Sequence, residues 1–151
     1  MRKLESFFKN KRILITGHSG FKGSWLMRWL EIFGSKTFGL SLIPNTKNNH
    51  FDLLFSRKDK RNFWVDIRDY REVQKVLKNI KPEIIFHLAA QPSVIESYKF
   101  PIDTFETNII GTANLLNSAK KAGSVKSFVV VTSDKCYENK EWTLPYRETD
   151  R

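Results

Sequence analysis

Cysteine is almost missing from this chain. Cys136 stands alone among 151 residues, so neither an internal disulfide nor a cysteine-built zinc site is available. Long apolar runs are missing too, and none approaches the roughly 20 residues that a membrane-crossing helix requires. The opening Met1-Arg2-Lys3-Leu4-Glu5-Ser6-Phe7-Phe8-Lys9 is basic but lacks the apolar stretch and small-residue cleavage site of a secretory signal. No internal repeat is present. Acidic residues are the minority charge: 16 Asp and Glu against 26 Lys and Arg leave a formal charge of +10. The surplus clusters at 9–12 and 56–61. A field of that sign attracts phosphorylated ligands, but no aromatic residues interleave with either cluster as a nucleic-acid stacking platform would require. These absences point to a cytoplasmic protein with neither a nucleic-acid nor a membrane partner, and the length suits one buried domain.

What is present is an alternation of strand and helix patterns. Arg12–Thr16 is a short apolar run ending in glycine, and after Gly20 the residues Phe21, Trp25, Trp29 and Phe33 recur every fourth position, as one face of a helix does. That spacing predicts a core-facing stripe, with Trp25 and Trp29 buried. Further strands are expected at 36–42, 63–67, 83–88 and 127–132. Helices are expected after Asp69, which can serve as N-cap, and from Thr104 to Ala122, with a short one at 51–55. Strands separated by helices require crossovers and a parallel sheet covered on both faces. The fold class is therefore α/β, a doubly wound parallel sheet of Rossmann type with strand order 3-2-1-4-5.

The first strand runs straight into Gly17-His18-Ser19-Gly20-Phe21-Lys22-Gly23. A glycine-rich turn between strand and helix leaves backbone N–H groups free to hold a phosphate at the positive helix end. Gly17 permits the tight turn, Gly20 lets a pyrophosphate approach, and Gly23 lets helix and strand pack closely. His18 is expected to face the phosphates or to stand exposed in the loop. Asp66-Ile67, at the end of the third strand, suits an adenine amino group, or else Asp66 is an N-cap or turn residue. Leu88-Ala89-Ala90-Gln91-Pro92 has side chains small enough for a ligand to lie against the backbone. No carboxylate follows the second strand to take the adenosine ribose; Ser41 stands there, and Lys22 would tolerate a 2′-phosphate. NAD is the expected cofactor, with NADP the alternative. His87 reads as a packed strand-end residue rather than a catalyst, and Cys136 and Tyr137 as structural.

Taken together, these segments resemble the extended short-chain dehydrogenase/reductase family of NAD-dependent nucleotide-sugar epimerases and dehydratases. Gly17 to Leu26, His87 to Pro92 and Thr132-Ser133-Asp134-Lys135-Cys136-Tyr137 look most like the 4,6-dehydratases that act on CDP-glucose. The dTDP-sugar dehydratases carry Asp-Glu where this chain has Asp134-Lys135. The resemblance implies a lyase that makes a 4-keto-6-deoxy sugar for lipopolysaccharide or deoxysugar synthesis, in which NAD takes a hydride from sugar C4 and returns it at C6 after water leaves. It assigns Ser133 to the C4 oxygen, Asp134 to protonating the departing C6 hydroxyl, and Lys135 to the C5 proton. An acid with Asp134's task needs a raised pKa or a proton-sharing partner, and a desolvated lysine can act as base. Asn108 matches an asparagine that supports the site through backbone contacts. The family's catalytic Tyr-x-x-x-Lys has no counterpart, since Tyr146 is followed four positions later by Asp150. The expectation is an NAD-binding domain over 1–151 that lacks the catalytic helix and substrate domain and is inactive alone, the intact enzyme being a homodimer that binds CDP-glucose. Another epimerase or dehydratase of the family, or a non-catalytic NAD-binding module, are the alternatives.

Overall fold

The computed structural model describes residues 2–151. In chain order the elements are α1 (Arg2–Phe8), β1 (Arg12–Thr16), α2 (Phe21–Ile32), β2 (Lys36–Ser41), α3 (His50–Leu54), β3 (Asn62–Trp64) and α4 (Tyr70–Ile80). They continue with β4 (Ile84–His87), α5 (Val94–Lys99), α6 (Pro101–Phe105), a π turn (Glu106–Gly111), α7 (Thr112–Ala122) and β5 (Ser127–Val130). All pairings are parallel, in the order β3-β2-β1-β4-β5. This is the doubly wound arrangement that the alternating pattern requires. β1 lies at the centre, with Ile13 opposite Thr37 of β2 and Ile84 of β4.

Two cores flank the sheet, because side chains alternate along each strand and both faces are covered. Leu14, Leu40 and Ile85 point to one face, where Val73, Val76, Leu77 and Ile80 of α4 and Leu115 and Ala119 of α7 close over them. Ile13, Ile15 and Ile84 point to the other, against Met27 and Leu30 of α2, with Phe8 of α1 alongside. Each such side chain contributes on the order of 1.5–3 kcal/mol when fully buried.

Local signals explain most boundaries. Asp69 caps α4 by accepting from the Glu72 N–H, and Lys81, in the left-handed region before Pro82, ends it. Gly123, at φ 67°, closes α7. The strands are shorter than the apolar runs suggest: β3 stops at Trp64, so Asp66 and Ile67 lie in the turn beyond it. α1 and α5 have no clear amphipathic period and were not expected.

The aromatic stripe of α2 faces the opposite way from the expected one. Its buried residues are Gly23, Ser24, Met27 and Leu30, while Phe21, Trp25 and Trp29 are exposed, Trp29 by 60%. The reason is steric. A Cβ at Gly23 would stand 2.2 Å from the Gly17 carbonyl oxygen, so α2 meets the β1 exit on its glycine face and its bulky face is driven outward.

Candidate functional site

In an open parallel sheet, ligands bind outside the carboxyl ends of the strands where the strand order reverses. Here that place is the gap between the exits of β1 and β4. The chain leaves β1 through Gly17, at φ 69°, and a Cβ there would meet the Ala89 backbone nitrogen at 2.7 Å. Gly17 and Gly23 are thus glycines because this chain's own backbone fills the space beside them. Gly20 differs: its Cβ would touch only the Gly17 carbonyl oxygen, at 3.3 Å. The remaining space lies outside the chain. Gly20 is also the N-cap of α2 and offers no side-chain cap, so the first-turn N–H groups of Phe21, Lys22 and Gly23 lack an intrahelical acceptor. Lys22 and Phe21 stand exposed beside them. This is an anion cradle of the kind that fits a pyrophosphate.

His18 does not face that cradle. Its ring is buried beneath the loop, stacked on Trp64 at 5.3 Å and edge-on to Phe51 at 5.2 Å, with Nδ1 3.0 Å from Ser41 Oγ. Gly39 leaves the room: a Cβ there would lie 2.2 Å from the ring. Burial pushes the His18 pKa down to about 4, offset only partly by hydrogen bonding of the ring to Leu40 and Asn62. Nε2 and Asn62 Oδ1 are buried without a hydrogen bond of good geometry. Ser41, buried, is consumed in the same cluster, donating to Ser19 Oγ at 2.9 Å.

The exits of β3 and β4 are drawn together by α7 and the π turn. Asn114 Nδ2 donates to the Ile67 and Arg68 carbonyls at 3.2 and 2.9 Å, and the Ile67 side chain packs on Gly111. Asn108 Oδ1 accepts the Gln91 N–H at 2.8 Å, while its Nδ2 donates to the Gln91 carbonyl at 3.1 Å. A π turn frequently marks a functional site, and here it aims Asn108 at the segment Leu88-Ala89-Ala90-Gln91. Asp66 is engaged by Arg68, which donates to Oδ2 from Nε at 2.9 Å and Nη2 at 2.7 Å and to Oδ1 from its backbone N–H at 2.9 Å. Burial alone would raise the Asp66 carboxyl, but these bonds and the Arg68 charge hold it below the usual carboxylate range. Arg68 also reaches Asp103 of α6 and Glu106 of the π turn, at 3.5 and 3.7 Å.

The third part of the site follows β5. The Val131 N–H donates to the His87 carbonyl at 3.0 Å, so this exit runs beside that of β4. Ser133 then caps a single 3₁₀ turn, Asp134–Cys136, by accepting from the Lys135 N–H. Lys135 Nζ lies 3.2 Å from Asp134 Oδ2, with side chains 84% and 61% exposed. Tyr137 stacks on Tyr146 at 4.9 Å. Among the described residues no group of three or more His, Cys, Asp or Glu is placed to hold a metal, and no helix is long and apolar enough to cross a membrane.

The model of the family described as GDP-mannose 4,6 dehydratase matches residues 14–151. The chain belongs to that family. Its relatives within and around the family include the CDP-glucose 4,6-dehydratase of Salmonella typhimurium, 42% identical over 146 residues, which cover 97% of this chain and 41% of that protein. Among solved structures, the epimerase Mth375 of Methanothermobacter thermautotrophicus superposes with a TM-score of 0.83 at 25% identity, over 99% of this chain and 43% of that one. The UDP-glucose 4-epimerase of Stenotrophomonas maltophila, solved with NAD and formylated UDP-arabinopyranose, gives 0.78 at 26% identity over 93% and 42%. The chain therefore spans about two fifths of the length of these relatives. Family members of this kind are nucleotide-sugar dehydratases and epimerases built on the same parallel sheet.

Proposed function

We propose that the chain binds NAD across the exits of β1 and β4 and serves a nucleotide-sugar 4,6-dehydratase that acts on CDP-glucose. The observation that carries this reading is the difference between the glycines. Two are filled by the chain's own backbone, while the third opens outward at an uncapped helix end. A pyrophosphate placed there puts one nucleoside toward Asp66 and Ile67 and the other toward Leu88, Ala89, Ala90 and the β5 exit. Asn108 holds that last floor in place through Gln91. NAD bound in this way supplies hydride acceptance and return. The chain's own part is to orient the sugar, with Ser133 toward the C4 oxygen, Asp134 giving a proton to the C6 hydroxyl and Lys135 taking the C5 proton. The Asp134-Lys135 pair favours the CDP-glucose reaction over that of the dTDP-sugar enzymes.

Titration calorimetry with NAD tests the reading. The wild-type chain binds, and Gly20→Val, which keeps the fold but fills the cradle, loses binding by about 100-fold or more. Equal affinity in both would overturn the assignment, and a preference for NADP would change the cofactor. With CDP-glucose and NAD the chain alone yields no 4-keto-6-deoxy product, because the sequence contains no Tyr-x-x-x-Lys. Product well above the blank would assign the base to Tyr137 or Tyr146 instead.

A further inference from the structure

His87, set aside in the sequence as a packing residue, lies at the centre of a hydrogen-bonded circuit whose proton positions can be worked out. Thr112 has one hydroxyl hydrogen, and it goes to the Asn108 carbonyl oxygen at 2.7 Å. Thr112 Oγ1 is also 2.9 Å from His87 Nε2, so Nε2 must carry the proton and donate. Nδ1 is then a bare acceptor, and Thr16 Oγ1, 2.6 Å away, donates to it. The Thr16 oxygen is left with its lone pairs, which accept the N–H groups of Leu88 and Ala89 at 3.2 Å each. One ring tautomer satisfies every member. The neutral ring this requires agrees with burial, which brings the His87 pKa down to about 4.

The circuit closes on itself. It leaves the β4 exit at Ala89, passes through Thr16 of β1, His87 and Thr112 of α7, and reaches the backbone of Asn108 in the π turn. The Asn108 side chain returns to Gln91, two residues beyond Ala89. Gly17, the first residue of the cradle, packs on the Ala89 nitrogen.

We infer that His87, as the Nε2–H tautomer, is a positioning residue that sets the distance between the glycine loop, the β4 exit and the π turn, and so the width of the cofactor cleft. The cofactor in that statement rests on the NAD reading above; the circuit itself does not.

Nitrogen NMR of the wild-type chain with labelled histidine reads the tautomer directly and needs no variant. His87 should give the Nε2–H pattern, and an Nδ1–H pattern overturns the inference. Thr112→Val removes the hydroxyl at constant shape, whereas Thr112→Ser keeps it. With Thr112→Val, amide exchange at Ala89 and Gln91 should speed up and NAD affinity should fall, each by roughly tenfold, the scale expected for one unsatisfied buried donor. Exchange at Ile15 and Phe86, inside the strands, should hold, and Thr112→Ser should behave as wild type. Exchange at Ala89 and Gln91 within twofold of wild type in the valine variant overturns the inference, as does equal acceleration throughout β1 and β4, which marks a merely structural role. Should the wild type bind no NAD while tautomer and exchange follow expectation, the NAD reading falls and the circuit stands.

Discussion

The exits of β1 and β4, at the centre of the sheet, and the exit of β5, at its edge, carry the two parts of the candidate site and are held by different means. At the centre, Gly17 and Gly23 are clamped by the backbone facing them, and Thr16, His87, Thr112 and Asn108 are all fully hydrogen-bonded. At the edge, the side chains of Ser133, Asp134 and Lys135 bond only among these three residues and stand in solvent. The comparison shows how much of such a site one sheet can organise unaided. A binding cleft needs only shape and fixed backbone donors, which local packing supplies. No neighbour among the described residues excludes water from Asp134 or Lys135.

Four experiments press on that contrast, in order of decreasing effect. Gly23→Ala drives a methyl into the Gly17 carbonyl, with backbone on both sides, and should destabilise the chain by about 3 kcal/mol or more. A melting temperature near the wild-type value would show that the centre is not clamped. Acid should act next, through His18 and His87. Both rings titrate at about 4 in the folded chain against an ordinary 6.5, so the unfolded chain binds more protons between those values. Stability is then whole above pH 6.5 and declines toward pH 4, by about 1–3 kcal/mol for each ring. Denaturant titrations at pH 7 and pH 4.5 measure this, and a flat profile contradicts the burial of both rings.

The edge predicts association rather than unfolding. Val129, Val130 and Val131 are half-exposed, as are Phe105, Ile109 and Leu116, and β5 pairs with β4 alone. An apolar strand edge of this kind recruits other chains, so light scattering after size exclusion should show species above the monomer mass at roughly 50 µM. Val130→Lys should shift them toward monomer, and a wild-type monomer at that concentration would mean the edge is already protected. Lys135→Ala should do least, changing stability by no more than about 0.5 kcal/mol, as expected for an exposed side chain. A larger loss would mean the β5 exit is as firmly built as the centre.

Much of this was legible in the sequence, for identifiable reasons. Strand order followed from alternating patterns and crossover rules, and the glycine turn between β1 and α2 from residue type and position; the backbone contacts of Asn108 came only with the family resemblance. The orientation of α2 did not. Spacing by four residues shows that Phe21, Trp25 and Trp29 share a face but not which face is inward; the clash at Gly23 decides that, and it depends on where the β1 exit lies in space. His18 was misplaced for a similar reason. Its burial needs Gly39, Phe51 and Trp64, which are far away in the chain, to converge on one point. Nor does an apolar pattern distinguish a π turn from an α-helical one, so the break in the long helix was invisible.

That break has a consequence for insertion and deletion. A π turn holds one residue more than the α-helical turn it replaces, because its hydrogen bonds span five residues rather than four. It therefore absorbs that residue with almost no change of helical phase on either side. Removing a single residue between Glu106 and Gly111 would restore an ordinary helix while Leu115 and Ala119 kept their face to the sheet, and the loss would be local, in the aim of Asn108 toward Gln91. A deletion within α7, where no π turn absorbs it, should be less tolerated, since it turns the contacts on its two sides against each other by about 100°.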